Sequence, residues 1–183
     1  MKKRTVYNLL LFAFVLVFFV TPLGFEAKVL LQHIFAGRVE VLLQGKMYKI
    51  DPDWRLKDRD NRQFSFEKSN GRVRLVYFWS SWRTNSLADL ESLRKLYNQY
   101  GNQVDFYVIT NELPEPVEKT LHYRKLTSPI MCLIIGEKMP FNPETIPSGY
   151  IIDKNNVVRV QTHESANWNS TQIKELLTQL LNS

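Results

Sequence analysis

The chain has 183 residues, 44% of them hydrophobic and 23% charged, with a formal net charge of +6. This is the composition of a globular protein, and the length suits one domain plus an appendage. Lys2, Lys3 and Arg4 supply half of the net charge; the other Lys and Arg residues are interleaved with acids, which argues against a nucleic-acid partner. The single cysteine, Cys132, excludes an intramolecular disulfide.

Thr5 to Phe25 carries no charge, and Leu9 to Val20 is continuously apolar. Its 21 residues span about 31 Å as a helix, close to the hydrocarbon thickness of a bilayer. The apolar centre alone would also fit a cleaved signal peptide. Thr21-Pro22-Leu23-Gly24-Phe25-Glu26-Ala27 contains no convincing small-x-small cleavage site, and no cysteine follows to accept a lipid. The expectation is a retained anchor. Positive charge stays on the cytoplasmic side, so the rest is exported. In a bacterium with two membranes this is a single-pass inner-membrane protein with a periplasmic domain. The expected organisation is an anchor over residues 1–25, a tether over 26–49 and a folded domain over 50–183. Residues 26–49 are rich in apolar side chains but follow no clean period. They fit either a short amphipathic helix near the membrane surface or a strap against the domain.

The domain opens with Trp54-Arg55-Leu56-Lys57, a polar turn, and Gln63-Phe64-Ser65-Phe66, which read as a hairpin. Val73 to Phe78 suits a buried strand. Leu87, Leu90, Leu93, Leu96, Tyr97 and Tyr100 then recur on one helical face. Thr84, Asn85 or Ser86 is the expected cap of that helix, and Gly101 its stop. Val104 to Thr110 is the next strand. Pro116 predicts a helix from Val117 to about Leu126, followed by a short apolar strand in Ile130 to Ile135. Residues 140–147 read as an irregular loop. Tyr150 to Asp153 and Val157 to Val160 form a hairpin across an Asn-rich turn. Asn169 and Gln172 fit a capping box for a last helix with a stripe of Ile173, Leu176, Leu177, Leu180 and Leu181. A βαβα unit followed by a hairpin and a helix predicts an α/β fold: a mixed central sheet flanked by helices on both faces.

The segment Phe78-Trp79-Ser80-Ser81-Trp82-Arg83-Thr84-Asn85-Ser86 resembles the active-site segment of thioredoxin-like proteins. Leu56 to Phe66, Leu90 to Tyr97, Ile146-Pro147-Ser148-Gly149-Tyr150-Ile151-Ile152-Asp153-Lys154 and Ala166 to Ser170 extend the match in the right order. Over roughly residues 54–181 the chain resembles the membrane-anchored, TlpA/ResA-like branch of thioredoxin-like thiol-disulfide oxidoreductases. The resemblance implies the thioredoxin-like fold, a cis peptide before Pro147, and disulfide exchange outside the cytoplasm. It also implies that Arg83 and Ser86 stand where the branch has Cys-x-x-Cys. Exchange needs an attacking thiolate and a resolving thiol, and this segment has neither.

The expected function is therefore that of a membrane-tethered, redox-inactive protein that binds an extracytoplasmic protein or peptide; the alternative is a thiol-disulfide oxidoreductase in envelope redox homeostasis. Trp79, Trp82, Arg83, Ile146 and Pro147 are the candidate binding residues, because the branch's proline loop presents backbone groups to an extended chain. Ser86 is expected to serve as a helix cap. Tyr77 stands where many thioredoxins carry a buried acid, and is expected to be a core tyrosine with a satisfied hydroxyl. Cys132 is expected to be buried. His33, His122 and His163 show no metal spacing, so neither a metal nor another cofactor is expected. Glu112 and Glu115 follow a strand end, where either a site or a solvated loop accounts for them.

Overall fold

The structure, a computed structural model, describes residues 3–37, 39, 41–126 and 129–183; Lys2 of the basic cluster lies outside them. Helix α1 (Lys3–Val20) is, among the described residues, the one helix long and apolar enough to cross a membrane, and none of it is buried. Thr21 ends it and starts the next. Its hydroxyl oxygen accepts the Gly24 N–H at 3.2 Å, and Pro22 occupies the first turn of α2 (Pro22–Phe35).

The strands are β1 (Tyr48–Lys49), β2 (Arg55–Lys57), β3 (Gln63–Ser65), β4 (Val73–Phe78), β5 (Val104–Thr110), β6 (Ile130–Cys132), β7 (Ser148–Ile152) and β8 (Val157–Thr162). The remaining helices are α3 (Thr84–Tyr100), α4 (Pro114–Arg124) and α5 (Thr171–Asn182). One sheet runs β1-β8-β7-β4-β5-β6-β2-β3. β4, β5 and β6 are parallel, joined by the helical crossovers α3 and α4, and the other pairings are antiparallel.

β4 is central and buried along its whole length. Its alternation sorts the core. Val73, Leu75, Tyr77 and then Trp79 face one cluster, with Leu90 and Leu93 of α3 and Ile173 and Leu177 of α5. Val76 and Phe78 face a second cluster, with Trp54, Phe66, Phe141 and Tyr150. The helices α2 to α5 all contribute to the first cluster. Helices were expected on both faces; the second face is instead covered by a 3₁₀ turn at Phe66–Ser69 and by loop residues such as Phe141. Gly136, at φ +83, and the prolines at 140 and 143 keep the segment before β7 out of helix.

Residues 26–49 are more than a tether. Val29 and Val39 enter the first cluster, Val41 bridges to Val160, and β1 pairs with β8. Apolar side chains without a period are what a strap over an existing core requires. Two helix starts also differ from expectation. α4 begins at Pro114, because that proline fits the first turn as well as Pro116 does. At α5 the cap is Ser170, whose hydroxyl accepts the Ile173 N–H, while the Asn169 N–H goes to the Asn167 side chain.

Gly149 of β7 lies under the indole of Trp168, which is fully buried. A Cβ here would sit 2.1 Å from the ring. Gly149→Ala is therefore expected to cost about 1–3 kcal/mol as an overpacked core, read as a lower urea midpoint at unchanged slope.

Candidate functional site

The chain leaves the sheet after β4. The Trp79 N–H still donates to the Ile109 carbonyl at 3.0 Å; residues 80–83 then turn into α3. Arg83 is the N-cap residue, in extended conformation, and makes no side-chain cap. A guanidinium has only donors, so it cannot accept from the free N–H groups of the first turn. The expected Ser86 cap is corrected: Ser86 lies inside the first turn, fully buried, and its Oγ accepts the Ser80 N–H at 3.3 Å. It closes the turn between strand and helix. Trp82 is 63% exposed, and the Arg83 guanidinium lies 4.6 Å from its ring centroid. Such exposed cation–π pairs contribute about 0.5–1 kcal/mol.

Glu112, just past β5, holds the same turn. Its carboxylate accepts the Ser81 N–H at 2.6 Å and the Ser81 hydroxyl at 2.5 Å. Glu115 has no such role and sits in the first turn of α4. Glu112→Ala is expected to cost about 1–2 kcal/mol and to speed amide exchange at Ser81. Unchanged exchange at Ser81 would show that the clamp does not order the turn.

The Ile146–Pro147 peptide is cis, as the resemblance implies. Ser148 pairs in register with Phe78, which brings this loop to the sheet end where β4 gives way to Ser80–Arg83. Thr145 donates its hydroxyl to the His163 carbonyl at 2.6 Å; Ser148 Oγ bonds to the Thr145 carbonyl and lies 3.2 Å from His163 Nδ1. Ile146 is half-buried and Pro147 buried. Trp79 is wholly buried by the alternation of β4, so it cannot belong to a recognition surface. Of the five candidate binding residues, Trp82, Arg83 and Ile146 keep side chains accessible.

The most informative group in the site is one the sequence reading missed. Asp89, on the buried face of α3, accepts from the Tyr77 hydroxyl at 2.9 Å, from the Ser165 hydroxyl, and from the Ala166 N–H at 3.2 Å. Burial pushes its pKa up to about 7, against the pull of those donors. The Tyr77 hydroxyl is raised well above its usual value by burial and by the neighbouring carboxyl. Tyr77 is thus, as expected, a core tyrosine with a satisfied hydroxyl, and the acid it binds comes from the helix. The available signal was spacing: Asp89 shares a helical face with Leu93, Leu96 and Tyr100.

Cys132 is half-buried rather than buried, because it ends a short strand two places from β4 in the sheet. Burial nevertheless raises its thiol pKa, the reverse of what a nucleophilic cysteine needs. His33, His122 and His163 lie on α2, on α4 and beyond β8.

No family model matches the chain. Solved structures superpose on most of it. A secreted thiol-disulfide isomerase from Corynebacterium glutamicum matches with TM-score 0.61 and 11% identity, over 80% of this chain and 93% of that one. A DsbF homologue from Corynebacterium diphtheriae gives TM-score 0.62 and 9% identity, over 77% and 94%. A secreted Mycobacterium tuberculosis disulfide oxidoreductase homologous to E. coli DsbE gives 0.57 and 13%, over 72% and 96%. The fold is thioredoxin-like. A curated relative, the thioredoxin-like protein YneN of Bacillus subtilis, is 24% identical over 112 residues. That match spans 59% of this chain and 66% of the relative, just under two thirds of its length. In this thioredoxin-like frame, the Trp82–Ser86 turn and the cis-proline loop share one sheet end, with Asp89 and Tyr77 beneath them.

Proposed function

We propose that this chain is an extracytoplasmic thioredoxin-like protein, anchored by α1, that binds extended polypeptide at the Trp82–Pro147 end of the sheet and carries out no disulfide exchange. One observation carries the reading: the strand-to-helix turn and the cis-proline loop are kept in full, while the two side chains that would do redox work are Arg83 and Ser86. Arg83 is a permanent cation, so it can hold a carboxylate or another acidic group of the bound chain. Ile146 and Trp82 supply apolar contact beside it. The loop backbone supplies hydrogen-bonding groups for strand-like addition. Two of the similar structures are described as secreted, which supports an exported domain, as does the uncharged apolar α1 behind a basic terminus. The oxidoreductase alternative would have to run through Cys132, a lone thiol of raised pKa two strands from β4.

The test is binding of unfolded acidic peptides to the full chain in detergent micelles, read by fluorescence anisotropy. Arg83→Glu and Pro147→Ala are each expected to weaken binding about tenfold, or 1.4 kcal/mol. Equal affinity in both variants and the parent would end the proposal.

A further inference from the structure

Helix α2 is apolar on two opposite sides. One side, with Phe25 and Val29, packs toward the first core cluster. The other carries Leu23, Leu30, Leu31, Ile34 and Phe35, spaced i, i+7, i+8, i+11 and i+12, and all five are exposed. A helix covered by protein on one side only should be polar on the other. This one is not. Its charged residues are Glu26 and Lys28. Glu26 is paired with Arg124 at 2.8 Å, and the Lys28 ammonium turns back over the Phe19 ring of α1 at 4.5 Å. The outward stripe is therefore uncharged.

What covers it follows from its neighbour in the chain. Only Thr21 separates α2 from α1, and no residue of α1 is buried. The corner is fixed: the Thr21 hydroxyl donates to the Val17 carbonyl at 2.6 Å while its oxygen accepts the Gly24 N–H. A stripe that begins three residues after the end of a membrane-crossing helix has no length of chain with which to leave the bilayer surface. We propose that the outward face of α2 lies in the membrane interface, at the boundary of headgroups and acyl chains, and holds the domain flush against the lipid. The inference rests on α1 crossing the membrane, as proposed above. It also bears on the candidate site. Pro22 and Phe25, at the corner, line a groove with Ser81, Leu87 and Tyr123. The turn that leads into Trp82 and Arg83 thus sits beside the point where the chain enters the bilayer. The polypeptide segments within its reach are those lying close to the membrane.

The test uses the full chain with Cys132→Ser, reconstituted in vesicles of phosphatidylethanolamine and phosphatidylglycerol. A nitroxide is attached in turn through Phe12→Cys, Leu30→Cys, Ile34→Cys and Arg62→Cys. Relaxation by oxygen and by a water-soluble nickel chelate reports depth. The labels at 30 and 34 are expected about 5–10 Å below the phosphates, the label at 12 deeper, and the label at 62, in the β2–β3 turn, in water. Labels at 30 and 34 as open to nickel as the one at 62, with the label at 12 shielded, would overturn the inference and leave the anchor standing. Nickel access at 12 would remove both. Spin–spin broadening at 34 would show a second copy of the chain on the stripe, and would likewise overturn it.

Discussion

Arg83→Cys combined with Ser86→Cys is expected to reduce insulin with turnover, dithiothreitol being the electron source, where the parent is expected to show only the background rate. The geometry is already suited to it. Position 83 is the N-cap of a 17-residue helix whose first-turn N–H groups have no side-chain acceptor. Those groups and the helix dipole stabilise a thiolate there. Position 86 is buried one turn on, where its side-chain oxygen now accepts the Ser80 N–H. A thiolate at 83 attacks an insulin sulfur and forms a mixed disulfide. The thiol at 86 then attacks the sulfur at 83 and releases reduced insulin, leaving an intramolecular disulfide that dithiothreitol reduces. The parent chain and its Cys132→Ser variant are expected to show the same background rate. A faster parent would restore the oxidoreductase reading. A folded double variant without turnover would mean that the loss extends beyond the two side chains.

The same geometry explains how Arg83 is tolerated. A cation at a helix N-terminus opposes the dipole by about 0.3–1 kcal/mol. Stacking of its guanidinium on Trp82 returns about 0.5–1 kcal/mol. The two effects nearly cancel, so position 83 can carry a cation at little cost to the fold. In the proposed reading, a cation at this position offers a bound chain a positive potential that favours a carboxylate.

Much of this was legible in the sequence because it rests on local pattern. The run Val73–Phe78 marks a central strand, the leucine stripes mark α3 and α5, and the order of motifs marks the fold. The cis bond at Ile146–Pro147 followed from the resemblance. What escaped is three-dimensional. Trp79 looks like a surface aromatic beside Trp82, yet it continues β4 into the first core cluster, while Trp82 lies beyond the strand in the exposed turn. Ser86 looks like a cap because serine favours that position, but the helix starts at Thr84, and the hydroxyl serves Ser80 instead. Asp89 looks like one more solvated acid in a helix. Its partners Tyr77 and Ser165 lie 12 and 76 residues away, a distance no local pattern spans. Glu112 escaped in part for the same reason, since its partner Ser81 belongs to another crossover.

Asp89 also carries the second large expectation. Its carboxyl titrates near 7 in the folded protein and near 3.9 when unfolded. Between those values the native state holds a proton that the unfolded state has released. Stability from this group is therefore fully present below about pH 4 and falls as pH rises toward 7, with a limiting slope of about 1.4 kcal/mol per pH unit. Between pH 5 and 8 the chain is expected to lose about 2–3 kcal/mol from Asp89 alone. Asp89→Asn is neutral at every pH and keeps a carbonyl to accept from Tyr77, Ser165 or Ala166. It should flatten the urea midpoint across this range and raise it relative to the parent at pH 8. A parent midpoint that rises from pH 5 to 8, or an Asp89→Asn variant with the same slope as the parent, would place the titrating group elsewhere. Ionised Asp89 loads a buried charge onto the hydrogen bonds that tie α3 to Tyr77 of β4 and to the Ser165–Ala166 segment. These donors hold the carboxylate more strongly than the acid, so the stability lost as pH rises is the desolvation cost of a buried charge and not a loosening of the contacts that position the helix start.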